Sequence, residues 1–172
     1  MYTIQGIKQN DYNQLNQMYY DFYSSIYGDF FKNLPKLLRN IFDSNKVYAE
    51  YAVKEAFSET APKGMLTKDV LGLYKDDDLI GFVCVGIFED LTGGIYHIYI
   101  KPDCRKIIID NSMQRTSYYL MEGIEKYFDK YNIKNVEIEI PHQLLGIKKM
   151  AEKYGFFPQQ NYSDATKYIK RR

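Results

Sequence analysis

The spacing of apolar residues switches from helical period to alternation near residue 69. As far as about residue 57 they recur at helical period, and from Val70 onward they mostly alternate. Thr3–Ile7 is a short alternating stretch and reads as a first strand. Leu15, Met18, Tyr19, Phe22 and Ile26 then return every three or four positions, as on one face of a helix. Asp11 is a suitable cap, with Gln14 at capping-box spacing, and Gly28 is the expected end. Pro35 starts a second helix with Leu37, Leu38, Ile41 and Phe42 on one side, and Val47 to Phe57 continues the helical pair. Ser58–Lys68, with Pro62 and Gly64, reads as a loop.

The period-2 region predicts strands at Val70–Tyr74, Leu79–Phe88 and Ile95–Ile100, joined by turns at Lys75–Asp78 and Glu89–Gly94. Three consecutive strands with short turns make an antiparallel meander. A long helix follows, capped by Asp110 or Ser112, with Met113, Ser117, Leu120, Met121, Ile124, Tyr127 and Phe128 on its apolar side. Asn135–Ile140 is a strand. Leu144, Ile147, Ala151 and Tyr154 form a last helical stripe ended by Gly155, and Thr166–Ile169 is a closing edge strand. The expected fold is a single α/β domain, residues 1–172. Its mixed sheet has the meander at the centre, then β-α-β-α-β, with helices on both faces.

Composition adds bounds. The chain has 172 residues, a formal net charge of +1, 45% hydrophobic and 26% charged residues. That length buries a core without disulfides or metals. A charge so near zero gives no bulk attraction to nucleic acid or anionic membrane. Eighteen Tyr and ten Phe, with no Trp, are an unusual aromatic load. Cys84 and Cys104 have no zinc or redox spacing and read as reduced thiols. The absence of a signal core or a long apolar run points to a cytoplasmic protein. Asp76-Asp77-Asp78 lacks calcium-loop spacing and reads as a solvated turn, so no metal is expected. Lys170-Arg171-Arg172 is too short a basic run to indicate nucleic-acid binding.

Four segments, in order, give the chain a family likeness. Asp77–Val83 looks like a hairpin opening into Ile-Gly. Ile98-Tyr99-Ile100-Lys101-Pro102-Asp103-Cys104-Arg105 is similar to Val-x-Pro-x-x-Arg. A long helix with Leu120-Met121 and Tyr127-Phe128 follows, and Met150–Phe156 is a helix ending in Gly-Phe. Together they resemble the GCN5-related N-acetyltransferase (GNAT) superfamily over nearly the whole chain. The resemblance implies transfer of an acetyl group from acetyl-CoA to a primary amine by direct attack. It also implies pantetheine held by backbone around Ile98 and Ile100, and pyrophosphate on the start of the long helix. The acceptor would be a small amine or a peptide or protein amine, with no membrane partner, and a homodimer is left open.

The chain departs from the family at the glycine-rich phosphate loop. Counted from Arg105, the glycine positions hold Ile108 and Asp110, and a carboxylate there would repel pyrophosphate. Counted from the helix, Gln114, Arg115, Thr116 and Ser117 take the loop's place and Cys104–Asn111 becomes an insertion. The second register supplies a cation and two hydroxyls, and Asp110 as a plain cap fits the sequence equally well. The family's strand-borne general base falls at His97, whose ordinary pKa suits the task, although a lone strand His is commonly structural. Tyr99 shares its face. The family's acidic Tyr falls at Ala151 and its Asn at Leu144, while Tyr154, one turn on, is either a substitute or core. An inactive fold used as an interaction module is the competing reading, favoured by the missing glycines and Ala151.

Overall fold

The structure, a computed structural model, describes residues 1–32, 44–105, 108–109 and 114–172, with side chains for all of these except 29–32, 108–109 and 114. The helix expected on Pro35 and the caps expected at Asp110 or Ser112 lie outside the described residues. The chain forms two compact units, one of Met1–Ile7 with Glu59–Arg172 and one of Lys8–Ser58.

The smaller unit is a helix pair, α1 (Tyr12–Lys32) and α2 (Ser44–Ala56). The stripe read from sequence is its inner face, with Leu15, Met18, Tyr19 and Phe22 buried beside Ala49, Ala52 and Val53 of α2. Tyr12 stacks on Phe57, and Asn45 Nδ2 donates to Ser24 Oγ at 3.3 Å, so the helices run antiparallel. Asp11 ends a short 3-10 turn that leads into α1, and its carboxylate accepts the Lys8 N–H at 3.1 Å. Gly28 does not end α1, since glycine weakens a helix by only about 1 kcal/mol and Gly28 has no positive φ to turn the chain.

The larger unit is built on a seven-stranded mixed sheet. Its strands are β1 (Tyr2–Gly6), β2 (Met65–Lys75), β3 (Asp78–Phe88), β4 (Thr92–Ile100), β7 (Asn135–Pro141), β8 (Phe157–Asn161) and β9 (Ala165–Arg171), in the order β1-β2-β3-β4-β7-β9-β8. β2 begins five residues before the expected Val70, because the long β3 pairs back as far as Met65↔Phe88. β4 and β7 run parallel and the other neighbours in this sheet antiparallel. A separate two-residue ladder joins β5 (Ile108–Ile109) to β6 (Gln114–Arg115).

α3 (Thr116–Lys130) and α4 (Leu145–Lys153) supply the helical side of one core. Leu120, Met121, Ile124, Phe128 and Ala151 pack with Leu73, Val83, Val85, Ile95, Ile98, Ile138 and Ile140 of the sheet. Both helices end in the same motif. Ile133 N–H reaches Phe128 O across left-handed Asn132, and Phe156 N–H reaches Ala151 O across left-handed Gly155. Each ending turns an apolar residue, Ile133 or Phe156, into the core. At the end of β9, Lys170 and Arg172 bind Glu125, and Arg172 also binds Asp129, all at 2.7 Å. The basic run is thus largely tied to α3.

Candidate functional site: a parted strand pair

β4 and β7 pair only from Thr92↔Asn135 to Ile95↔Ile138. Beyond that row the two strands continue without pairing to each other: β4 stays on β3 as far as Ile100, and β7 stays on β9 as far as Pro141. The parting starts at a bulge. Cys84 pairs with His97 and Val85 with Ile95, so Tyr96 is the extra residue on β4. Lys101 N–H donates to Ile80 O at 2.9 Å and so faces β3. Strand alternation then turns the backbone groups of Ile100 and Ile98 toward the gap. An extended ligand carrying amide groups has a strand edge to pair with here.

Arg105 closes the far end of this edge. Its Nε donates to Ile100 O at 2.7 Å, and its guanidinium lies over the Tyr99 ring, 5.3 Å from the centroid. Arg105 is therefore a bolt on β4. Thr116 is fully buried and its hydroxyl donates to Cys104 O at 2.7 Å, fastening the start of α3 to the end of β4. The Thr116 side chain thus points into the fold, and only its backbone can serve a phosphate. α3 starts at Thr116, after the β5–β6 ladder, and its N-cap Arg115 makes no side-chain cap. Arg115 is exposed. Ser117 hydrogen-bonds the Tyr154 hydroxyl, and burial raises that phenol's pKa. The helix start thus brings together Arg115, Ser117 and Tyr154, while Ala151, at the family's tyrosine position, is core.

On the face of β3 and β4 away from α3 lie Phe82, Cys84, His97 and Tyr99, since Cys84↔His97 and Phe82↔Tyr99 are cross-strand pairs. Burial lowers the His97 pKa to about 4, with a smaller push from the Lys68 charge. His97 is neutral at pH 7. It can accept a proton but holds it weakly, unlike the near-neutral base its sequence position suggests. Glu137 and Glu139 of β7 point to this same face, because Val136, Ile138 and Ile140 between them are core. Glu139 is exposed and is the first β7 residue beyond the last pair with β4. Sequence reasoning passed over both. Their alternation with Val136, Ile138 and Ile140 was visible, but the parting that gives Glu139 its place was not.

Asp90 Oδ1 accepts the Thr92 N–H at 2.9 Å inside the β3–β4 turn, and Asp78 faces Lys101. Among the described residues no cluster of ligating side chains could hold a metal ion.

No family model matches the chain, and no curated protein matches it by sequence. Solved structures do. PaiA N-acetyltransferase of Thermoplasma acidophilum, in complex with coenzyme A, superposes with a TM-score of 0.68 at 17% identity, over 100% of this chain and 99% of that one. The fold is that of the GNAT acetyltransferases. A putative GNAT acetyltransferase of Desulfovibrio desulfuricans gives 0.70 at 12% identity, over 99% of both chains. The ribosomal-protein-S18-alanine N-acetyltransferase of Escherichia coli gives 0.62 at 12%, over 98% of this chain and 91% of that one. The GNAT likeness thus spans the whole length of the chain. No helix among the described residues is long and apolar enough to cross a membrane.

Proposed function

We propose that this protein is an N-acetyltransferase that moves the acetyl group of acetyl-CoA directly to a primary amine. The observation that carries the reading is the parting of β4 from β7 after Ile95↔Ile138, with the Ile98 and Ile100 backbone turned into the gap. Pantetheine carries amide groups and fits such an edge as a partial strand. Its thioester would then lie near the bulge, where a backbone N–H can polarise the carbonyl as the amine attacks. The pyrophosphate would rest on the first turn of α3. Backbone N–H groups and the helix dipole favour an anion there, with Arg115 as the cation and Ser117 as a hydroxyl donor.

The attacking amine must lose a proton. His97 accepts it and, with its pKa near 4, passes it on to water rather than storing it. Glu139 is the second acceptor within the same opening. Tyr99, under the Arg105 guanidinium, shapes the opening, and Tyr154 supports Ser117 at the phosphate end. The reaction needs acetyl-CoA and an amine, small or on a peptide, and a cytoplasmic setting supplies both. The missing glycines and the buried Ala151 favour one other reading, a CoA-free interaction module.

Saturating CoA should separate the two. Ligand at one hundred times its Kd adds roughly 2.7 kcal/mol, which for a chain of this size raises Tm by about 5–10 °C. A flat melt at millimolar CoA, with calorimetry also silent, would sink the enzyme reading.

A further inference from the structure

Tyr96 has a place on the face opposite α3 that its sequence position does not announce. It is the extra residue of the β4 bulge, immediately before His97 and at the first step of the parting. Its ring lies across two facing glycines, Gly86 of β3 and Gly94 of β4, which pair with each other. A Cβ on Gly94 would stand 2.9 Å from Tyr96 Oη, and one on Gly86 3.3 Å from its Cε2 and 2.8 Å from Thr67 O. Any larger residue would lift the ring away. Phe88 meets it edge-on, with centroids 6.2 Å apart at 66°.

The hydroxyl is already engaged, donating to Met65 Sδ at 3.7 Å. Burial, helped by Cys84 and Glu137, pushes the phenol up to about 12. Tyr96 is therefore neither an acid nor a base for the reaction. What it offers is its ring, in a residue 37% exposed beside the gap. Glu137 is the β7 partner of Gly94 and points to the same face. Lys167 binds Glu137 at 2.5 Å, so the ring rather than the carboxylate supplies the selectivity.

We propose that the open face of the Tyr96 ring is where the acceptor's ammonium group docks, making Tyr96 a specificity-determining residue for primary amines. A primary amine arrives at neutral pH largely as the ammonium ion, which the negative face of a phenol ring attracts. Once the proton passes to His97 or Glu139 that attraction ends, and the neutral amine is left beside the bulge. The inference rests on the acyl-transfer reading above.

Met65, whose Sδ accepts from the Tyr96 hydroxyl, carries a methyl group next to that contact and so reports on the ring. We would titrate n-butylamine hydrochloride at pH 7 into protein carrying 13C-methyl methionine, with and without CoA. A saturable shift of the Met65 signal is expected. Its Kd should stay within about threefold in Tyr96→Phe and weaken about tenfold in Tyr96→Leu. Tyr96→Met replaces Tyr96→Leu if that variant melts early. Neutral 1-pentanol should bind at least tenfold more weakly than butylamine. An unchanged Kd in a folded Tyr96→Leu or Tyr96→Met protein would overturn the proposal, as would pentanol binding as well as butylamine. If CoA itself fails to bind while the amine still titrates as expected, the donor reading falls and the docking role of Tyr96 stands.

Discussion

The two stretches assigned to the two halves of the coenzyme are built in different ways. At the gap between β4 and β7 the geometry comes from backbone alone: a parallel ladder that stops, a bulge, and amides turned outward. At the start of α3 it comes from side chains: Arg115 exposed at the N-cap, Thr116 bolted to Cys104 and Ser117 joined to Tyr154. A site made of backbone tolerates almost any apolar side chain, and the gap keeps its form here with Ile98 and Ile100 lining it. A phosphate loop needs glycines or a specific substitute, and there this chain departs from the GNAT pattern. Fold likeness at 17% identity or below is therefore a better guide to the gap than to the phosphate end.

The comparison breaks most sharply if one side chain at the gap outweighs its backbone. His97→Gln should lower turnover at neutral pH by about 10²-fold, with partial recovery at high pH where free amine is abundant, as read from initial rates. The same variant has a stability signature. His97 is held at about 4 in the fold, against 6.5 for an ordinary histidine. Between those values the unfolded chain takes up a proton that the folded chain refuses. Stability should thus be fully present above about pH 6.5 and fall as pH drops toward 4, by about 3 kcal/mol at most. Melting curves across that window should flatten in His97→Gln. Intact turnover with a large loss of stability would make His97 a structural residue only.

At the phosphate end a smaller effect sharpens the contrast. Arg115→Ala should weaken CoA about 10- to 100-fold by calorimetry, the range for a lost hydrogen bond to a charged group. Asp110→Ala should leave affinity within a factor of about two, and a large effect there would move the phosphate loop back to Arg105. Smallest is Tyr154→Phe, which removes the hydroxyl shared with Ser117. It should cost about 1 kcal/mol, a Tm drop of about 2–4 °C. A tenfold loss of kcat with unchanged KM for acetyl-CoA would show the hydroxyl serving the reaction itself.

Much of the architecture was legible in the spacing of apolar residues. The three meander strands, α3 and α4 lie on the stretches that the apolar spacing marked, although β2 starts five residues early, α3 starts only at Thr116, and β3 is buried on both faces. β8 was missed. All five of its residues are exposed, Pro158 interrupts them, and no alternation marks them. Gly28 misled because local rules describe what a residue permits, not what its neighbours require. His97, Tyr99, Ile98 and Ile100 were candidates from sequence, while Tyr96, Glu137 and Glu139 were not. Their chemistry was not legible there, since the low pKa of His97 comes from burial and the place of Glu139 comes from where a ladder ends.

β1 carries one further consequence, in the time order of folding. It pairs with β2 through contacts such as Gly6↔Leu71, so the whole helix pair lies in the intervening loop. Closing a loop of that length costs roughly 4 kcal/mol of chain entropy, while β2 and β3 meet across a turn of two residues, Asp76 and Asp77. β1 is also an edge strand with a single partner, seated by Ile4 against the bare backbone of Gly123. The meander can therefore form before its first neighbour arrives. The strand that leads the sequence should be the last to join the sheet and the first to leave it.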